Sequence, residues 1–367
     1  MTPTRRPNRC HALAVWSLCA TLLPLAACKK PDEATPAAAP AAETAATTAE
    51  VHATPKEEPA VQITPKWPAG KRLLVRTETQ TELEMAAPGT AVSAKTESQL
   101  VQDLAFTPLK DRPSGGSEVE VHVISVTVES RAGGRVLSSF DPKSDPKQDA
   151  RNSLATTLRK LIGTKLKYHT LADGKVEKVD GVPQLLSRLT VGASPQANFL
   201  MRSLVNEDAL KAWNSLHLGL PEQPVQPGAT WEVKRDIPYG PTKFTLTGTN
   251  TFKAWTQRNN KKMAQLVFAG VATAKEGTTS VVTVGDGSTV TGTAWYDPDL
   301  GVIEESETLS HFTVNVAQST GTTTASKYKA KVTSKLVEIG DSGSGTPAVT
   351  EANAPAATPA PKPAAPK

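Results

Sequence analysis

The sequence predicts an α+β fold made mainly of long antiparallel strands, in two β-rich, half-barrel-like modules with a helical block between them. Valines alternate along residues 119–123 and again, on the opposite phase, along 126–128, which is the period of a strand with one buried face. Leu154, Leu158 and Leu161 instead follow the spacing of a helix. Valine- and threonine-rich runs recur through the second half of the chain, and both residue types favour β structure.

The first β-rich half is predicted to span residues 65–182. Its first strand begins at Leu73 and Val75 and continues through alternating threonines. The change of phase beside Ile124 predicts a β-bulge, because one extra residue shifts every later side chain to the other face. The helix around Leu158 is expected to stop at Gly163, since glycine suits a helix C-terminus.

The helical block is predicted at residues 183–219, and the second β-rich half at 220–339. Pro183 lies where a first helical turn tolerates proline, and we expect two further short helices at 195–204 and 207–216. In the second half, Gly285-Asp286-Gly287-Ser288 between valine-rich runs predicts a hairpin. Threonines of these strands are expected on the solvent face. The remaining strands are predicted at 245–255, 263–273, 308–316 and 328–337.

The two halves share short segments in the same order. Residues 70–76 resemble 228–234, and residues 168–177 resemble 295–304. One interpretation is a duplicated β-module; the other is that strand–turn–strand pieces look alike by chance.

Both ends of the chain are predicted to be disordered. Residues 28–64 and 340–367 consist mostly of alanine, proline and threonine with few large apolar groups. Such segments bury too little surface to offset the entropy lost on ordering. We therefore interpret 28–64 as a linker, 340–367 as a tail, and 65–339 as the folded core.

Residues 1–27 have the pattern of an export signal. Arginines at 5, 6 and 9 precede an apolar run that is too short to span a bilayer. The run leads into Leu25-Ala26-Ala27-Cys28, which resembles the lipobox of bacterial lipoproteins. That resemblance implies cleavage between Ala27 and Cys28, lipidation of Cys28 and attachment to membrane lipid through acyl chains such as palmitate. The alternatives are an ordinary secretory peptide with an incidental cysteine and, on weaker grounds, a twin-arginine route.

The residue after the lipobox bears on the final location. In Gram-negative lipoproteins, aspartate at this position usually retains the protein at the inner membrane. Lys29 stands here instead, so the resemblance implies an outer-membrane lipoprotein that faces the periplasm, with surface exposure left open.

A second resemblance concerns the junction at residues 220–231, Leu-Pro-Glu-Gln-Pro-Val-Gln-Pro-Gly-Ala-Thr-Trp. It resembles the LP-x-x-P-V-x-x-G-x-x-W junction of bacterial envelope lipoproteins of unknown function. The resemblance implies that the segment leads from a helical region into a strand, with Gly228 in a turn and Trp231 facing inward. It carries over no catalytic residue.

Composition excludes several kinds of site. Cys10 and Cys19 would leave with the signal and Cys28 would be lipidated, so no thiol remains for a disulfide, a thiolate metal site or a nucleophile. Residues 1–27 hold three arginines and no acid, so their removal lowers the net charge from +5 to +2. A nearly balanced charge does not predict a nucleic-acid partner.

The candidates for chemistry are few. His122 and His311 lie on predicted strands, and no histidine has a second one at metal-ligand spacing. Asp297 and Asp299 offer two carboxylates, but Pro298 and Gly301 already explain this segment as a tight turn. We therefore predict no catalytic residue, no metal site and no cofactor, and do not expect an enzyme.

Two functional classes follow. A curved sheet with covering helices favours the binding of a lipid or another hydrophobic ligand in an apolar cleft. The disordered ends favour instead a non-catalytic envelope scaffold or assembly partner, presented at a distance from the membrane. The first predicts an apolar cavity, and the second a filled core with an exposed apolar patch.

Overall fold

The computed structural model describes residues 59–86, 93–149, 152–192, 205, 207–211, 219–239, 242–274, 282–317 and 323–343. Antiparallel strands dominate these residues, as the sequence predicts, and helices are few. The helices are α1 (Pro146–Asp149), α2 (Ser153–Leu161), α3 (Val182–Thr190) and α4 (Glu207–Lys211). The strands are β1 (Lys71–Ala86), β2 (Ser93–Asp111), β3 (Ser117–Ala132), β4 (Arg135–Phe140), β5 (Lys165–Thr170), β6 (Val176–Asp180), β7 (Thr230–Tyr239), β8 (Thr242–Arg258), β9 (Lys261–Ala274), β10 (Val282–Val284), β11 (Thr289–Asp297), β12 (Val302–Ala317) and β13 (Thr323–Asp341).

All thirteen strands belong to one sheet, in the order β6-β5-β3-β2-β1-β13-β12-β11-β9-β8-β7. The sheet is open and does not close into a barrel, so β6 and β7 are its edges. The longest strands, β2 and β13, have 19 residues each, which corresponds to roughly 60 Å at about 3.3 Å per residue. β1 and β13 pair antiparallel in the middle of the sheet. The first and last strands thus join the first half (β1–β6) to the second half (β7–β13).

The two strands outside this order are β4 and β10. Each pairs with a strand that also pairs with the next strand along the chain. β4 and β5 both pair with β3, at residues 128–132 and 118–122 respectively. β10 and β11 both pair with β12, at residues 314–316 and 302–311. The hairpin predicted at Gly285–Ser288 is therefore wrong: the four residues interrupt one strand without reversing it, and Gly285 N donates to Thr313 O at 2.7 Å.

The details of the first half confirm the sequence pattern. The β2–β3 register shifts at Asp103/Leu104, where the partners change from Ser125 to Val123. Ile124 is thus the extra residue of the predicted bulge. The predicted helix is α2, and Asn152 caps it by accepting hydrogen bonds from the amides of Leu154 and Ala155.

Helical structure between the halves is described only in part. The first predicted helix is α3, with its proline in the first turn. The second, 195–204, lies outside the described residues, and α4 covers only the start of the third. A helical block is thus not confirmed. None of the helices among the described residues is long and apolar enough to cross a membrane.

Two clusters of buried residues form the core. In the first half, α2, α3 and Leu210 of α4 pack on β3, β5 and β6. In the second half, Phe252, Leu266 and Tyr296 pack with Ile63, which is 1% exposed. Val61 also forms a β-bridge with Val225. The linker was predicted to reach residue 64, but its last residues belong to the folded part because they bury apolar side chains there. β13 likewise ends at Asp341, inside the predicted tail.

Candidate ligand-binding face

The two faces of the sheet differ sharply in charge. We define the inner face by register partners on adjacent strands, whose side chains point to the same side of the sheet. One such series is Thr77–Ser334–Ser306–Ala294–Leu266. It comprises odd-numbered residues of 77–83 and 231–235, and even-numbered residues of 96–102, 244–252, 266–272, 290–294, 306–314 and 326–334. Arg235 is the one charged residue among them, and no member is acidic.

The outer face carries the residues between these positions, and it is rich in charge on β1, β7, β12 and β13. Lysines at 327, 329, 331 and 335 form a row along β13. Glutamates stand on either side of this row: Glu82 pairs in register with Lys329, and Glu307 makes an ion pair with Lys331 at 2.8 Å. Such cross-strand pairs suit a solvated face.

The inner face is also the less exposed one. Along β13, the outer residues 327, 329 and 331 are exposed, whereas Tyr328 and Ala330 between them are buried. Thr79 and Thr81 of β1 are 4% and 6% exposed. The β-branched threonine side chains of β1 therefore pack inside.

Aromatic rings and glycines lie side by side on the second half of this face. Gly248 and Gly270 are register partners, and a Cβ on either would approach Phe268 Cζ to 2.7 Å. The Phe268 ring therefore lies over both glycines, as aromatic side chains do over strand glycine. Further along, Phe312 and Tyr328 stack with ring centroids 6.1 Å apart.

Arg235 lies on edge strand β7, in register with the fully buried Leu246. Its Nε is buried and has no hydrogen-bond partner. Burial lowers the pKa of Arg235, since desolvation disfavours the charged form.

Described elements cover the two ends of this face. Helices α2–α4 lie over the first-half cluster, and residues 61–63 lie over the second-half cluster at Tyr296. The Tyr296 hydroxyl donates to Thr64 O at 2.6 Å. Gly219 also lies on this face, where its carbonyl oxygen accepts from Trp231 Nε1 at 2.6 Å and from Asn250 Nδ2 at 2.7 Å.

A charged cluster missed by the sequence analysis lies at the β5–β6 edge. His169 Nε2 and Asp180 Oδ2 are 2.7 Å apart, and Lys178 makes an ion pair with Asp180 at 2.7 Å. Lys178, with His169, lowers the pKa of Asp180 to about 2. His169 is nine positions from Lys178 and eleven from Asp180 in sequence, so only the pairing of β5 with β6 reveals the cluster. Ordinary salt bridges at a strand edge explain this cluster, and no catalytic role is needed to account for it.

The predicted chemical candidates are not brought together. His122 in β3 and His311 in β12 lie on the outer face with β2, β1 and β13 between them, which alone separates them by roughly 19 Å at about 4.8 Å per strand. Their register positions on β13, Glu338 and Lys329, also lie nine residues apart along that strand. Asp297 forms a turn, and its Oδ1 accepts from the amides of Asp299 and Leu300 at 2.8 and 3.0 Å. Among the described residues, no group of three His, Cys, Asp or Glu could hold a metal ion. Cys28 and Ala27 lie outside the described residues.

A cleft of about 830 Å³ lies beside α3 and the end of β6. Its lining mixes apolar Val182 and Leu186 with charged Lys178, Asp180 and Glu207. The uncharged inner face is therefore the better candidate for an apolar ligand.

Comparison with known proteins gives a family and distant structural likenesses. Residues 115–302 match the family described as "Family of unknown function (DUF6263)". No curated protein matches the chain. Among solved structures, "Lipid-protein interactions in lipovitellin" is 10% identical with a TM-score of 0.42, covering 78% of this chain and 27% of that one.

Two other solved structures are more distant. DynF from the dynemicin biosynthesis pathway of Micromonospora chersina is 7% identical, with a TM-score of 0.19 and coverage of 76% and 85%. A DUF1329 family protein from Desulfovibrio piger ATCC 29098 is 6% identical, with a TM-score of 0.12 and coverage of 74% and 87%. This chain spans only about a quarter of the lipovitellin chain, and every TM-score is below 0.5. None of these likenesses therefore bears on function.

Proposed function

The chain belongs to the family of unknown function DUF6263, and from its own residues we propose that it binds a lipid or another hydrophobic ligand on the inner face of its sheet. The observation that supports this proposal is the difference in charge between the two faces of the sheet. A set of residues on eight strands contains one charge and no acid, whereas the alternate residues of β1, β2, β7, β12 and β13 include lysines and glutamates.

The uncharged face needs a cover. A sheet face of this composition is normally packed against another layer. The described covers are α2–α4 at one end, residues 61–63 at the Tyr296 end, and Gly219 against Val233 and Asn250. An acyl chain on the region between them would remove Phe268, Phe312 and Val332 from water, at about 25 cal/mol per Å² of apolar area.

We propose further that the protein is held at the outer membrane, facing the periplasm, by acylation of Cys28. The support is the Leu-Ala-Ala-Cys sequence behind an apolar run, followed by lysine. Cys28→Ser should move the protein from the membrane fraction to the soluble fraction, and continued membrane association would refute the anchor.

An envelope scaffold is the second candidate, and edge strand β7 favours it. Among the described strands, β7 pairs only with β8, and Glu232, Lys234 and Asp236 on its outer side are exposed. A strand from a partner protein could add to such an edge through main-chain hydrogen bonds.

Native mass spectrometry with lipid extraction tests the ligand. The chain from residue 28, with Cys28→Ser to prevent acylation, would be purified from a bacterial periplasm. We expect a co-purifying lipid or other apolar molecule at about one per chain. A protein free of ligand that also binds no added lipid would reject this function and leave the scaffold.

A matched pair of variants ties the binding to the inner face. Ser310 and Leu309 are neighbours in β12 and point to the inner and outer face respectively. Ser310→Glu places a carboxylate on the uncharged face and should abolish ligand retention, whereas Leu309→Glu should retain it. Equal retention in two folded variants, checked by circular dichroism, would contradict binding on the inner face.

A further inference from the structure

Arg235 is out of place on the face that holds it. The side chain is partly buried. Val233 is its neighbour on the inner face of β7, and the apolar Leu246 and Ala272 stand in register with it on β8 and β9. Its Nε is fully buried without a hydrogen-bond partner. The neighbouring acid in sequence, Asp236, points to the outer face, where it accepts from Thr245 Oγ1 at 3.2 Å.

A guanidinium in this position is costly unless something compensates it. Removing a charge from water costs several kcal/mol unless an opposite charge or hydrogen bonds replace the lost solvation. Within the part of the chain that the structure describes, no carboxylate makes an ion pair with Arg235. The inner face as defined above contains no acid that could do so.

We infer that Arg235 binds the carboxylate head group of a fatty acid whose hydrocarbon chain lies across the inner face. This inference rests on the proposed function and names the ligand class. A guanidinium presents a planar fork of N–H donors that matches the two oxygens of a carboxylate. One positive charge balances one negative charge, and the buried Nε donor gains an acceptor.

The surroundings favour a small, singly charged head group. The nearest polar side chain of the inner face on β8 is Asn250, and its amide already donates to Gly219 O at 2.7 Å. Leu246, Ala272 and Phe244 offer no side-chain hydrogen bond to a larger polar head. A phospholipid, with its polar ester groups and second chain, would leave buried polar atoms unpaired here.

The face next to Arg235 gives the hydrocarbon chain a path. In register across five strands stand Val233, Gly248, Gly270, Val290 and Ser310. None of these side chains is larger than valine, but Gly219 lies against Val233 and the Phe268 ring lies over Gly248 and Gly270, so a hydrocarbon chain here would pack on that ring. The stacked Phe312 and Tyr328 lie beyond the row.

The test compares hexadecanoic acid with its methyl ester, which has the same chain but no charge. Binding of each to the chain from residue 28 bearing Cys28→Ser would be measured by isothermal titration calorimetry. We expect the acid to bind about 10- to 100-fold more tightly than the ester, the usual worth of charged hydrogen bonds. Arg235→Gln should remove this preference, and Lys234→Gln, the exposed neighbour, should keep it.

The outcomes separate the two proposals. If acid and ester bind the wild-type chain equally, or if folded Arg235→Gln still prefers the acid, the role of Arg235 is overturned while hydrophobic binding stands. If neither compound binds, the proposed function fails as well. A thermal midpoint of Arg235→Gln equal to or above that of the ligand-free wild type supports the inference, because the variant removes an uncompensated charge. A large fall would show that Arg235 is a structural residue and would refute the inference.

Discussion

At the scale of single residues, Asp297 shows how one carboxylate can organise a connection. It accepts two backbone amides of its own turn and receives the Lys261 ammonium at 2.9 Å. Its side chain is 2% exposed. Burial alone would raise the pKa of Asp297, but the amide of Leu300 and the charge of Lys261 outweigh it, so the pKa lies below its ordinary value of 3.8.

A lowered pKa makes the contribution of Asp297 to stability depend on pH. The ionised form is favoured in the folded state, so the contribution is complete well above pH 4 and is lost as the pH falls through the folded-state pKa. Asp297→Asn should lower the free energy of unfolding by about 1–2 kcal/mol at pH 7. In urea titrations from pH 7 to pH 2, the gap from wild type should narrow below about pH 4. A gap independent of pH would contradict this.

Gly301 closes the same turn, and two separate requirements fix it as glycine. Its φ is +72°, and a Cβ would approach Lys66 Cβ to 2.4 Å. Gly163 has a similar φ of +78°, but a Cβ there would have nothing within 4 Å. A substitution at Gly163 therefore measures the backbone strain without the steric clash. Gly163→Ala should cost about 1 kcal/mol and Gly301→Ala about 3 kcal/mol. Equal losses in urea denaturation would mean that residue 66 does not pack on the turn.

At the scale of elements, residues 59–66 behave as a strap across the second half. Lys66 N donates to Gly301 O at 2.8 Å, and Thr64 O accepts from the Tyr296 hydroxyl. Burial raises the pKa of Tyr296 to about 12. Ile63 fills the cluster beneath the strap.

Shortening the buried side chain of the strap should therefore destabilise the fold. We expect Ile63→Ala to lower the free energy of unfolding by about 3 kcal/mol, as truncations of buried isoleucine do. Ile339→Ala makes the same change at a residue that is 40% exposed. It should lower the free energy of unfolding by less than about 1 kcal/mol. Similar losses for both variants, measured by chemical denaturation, would show that the strap is not part of the cooperative fold.

The sequence pattern did not predict the strap. Composition assigns 28–64 to a linker because alanine, proline and threonine dominate, and isolated Val61 and Ile63 do not change that average. Period two in β3 predicts both the strand and its bulge at Ile124. The run around Gly285 gives no sign of whether it reverses the chain, because Gly-Asp-Gly suits a hairpin and an interrupted strand equally.

The inner face could be predicted only in part for the same reason. Alternation separates two faces in each strand, but which faces coincide across the sheet depends on register. The threonines of β1 suggest solvent until Thr79 is paired with Leu100 and Val332. Arg235 carries no signal in the sequence, since its neighbours Lys234 and Asp236 make the segment resemble an ordinary charged strand.

At the scale of the whole molecule, the halves have a similar order of strands. In each, three antiparallel strands are followed by an interrupted strand, β4/β5 or β10/β11, and then by another strand, β6 or β12. They differ in one pairing, since β4 pairs with the preceding strand β3 and β10 with the following strand β12. The segments that resemble each other in sequence begin β1 and β7, and they also span the turns after β5 and β11. The shared order supports the duplication hypothesis, which stays a prediction.

The junction between the halves decides whether they unfold together. β1 and β13 are paired over fifteen residues, from Lys71–Asp341 to Met85–Ser326, so opening either half exposes a long edge in the middle of the sheet. We therefore expect one cooperative unit. Hydrogen exchange across a urea series, followed by mass spectrometry, should give β3 and β9 the same midpoint. Leu104→Ala in the first half and Ile63→Ala in the second, both buried, should each lower both midpoints equally. If each variant lowered only the midpoint of its own half, the β1–β13 pairing would not couple them, and the ligand face would be built from two independently folding modules.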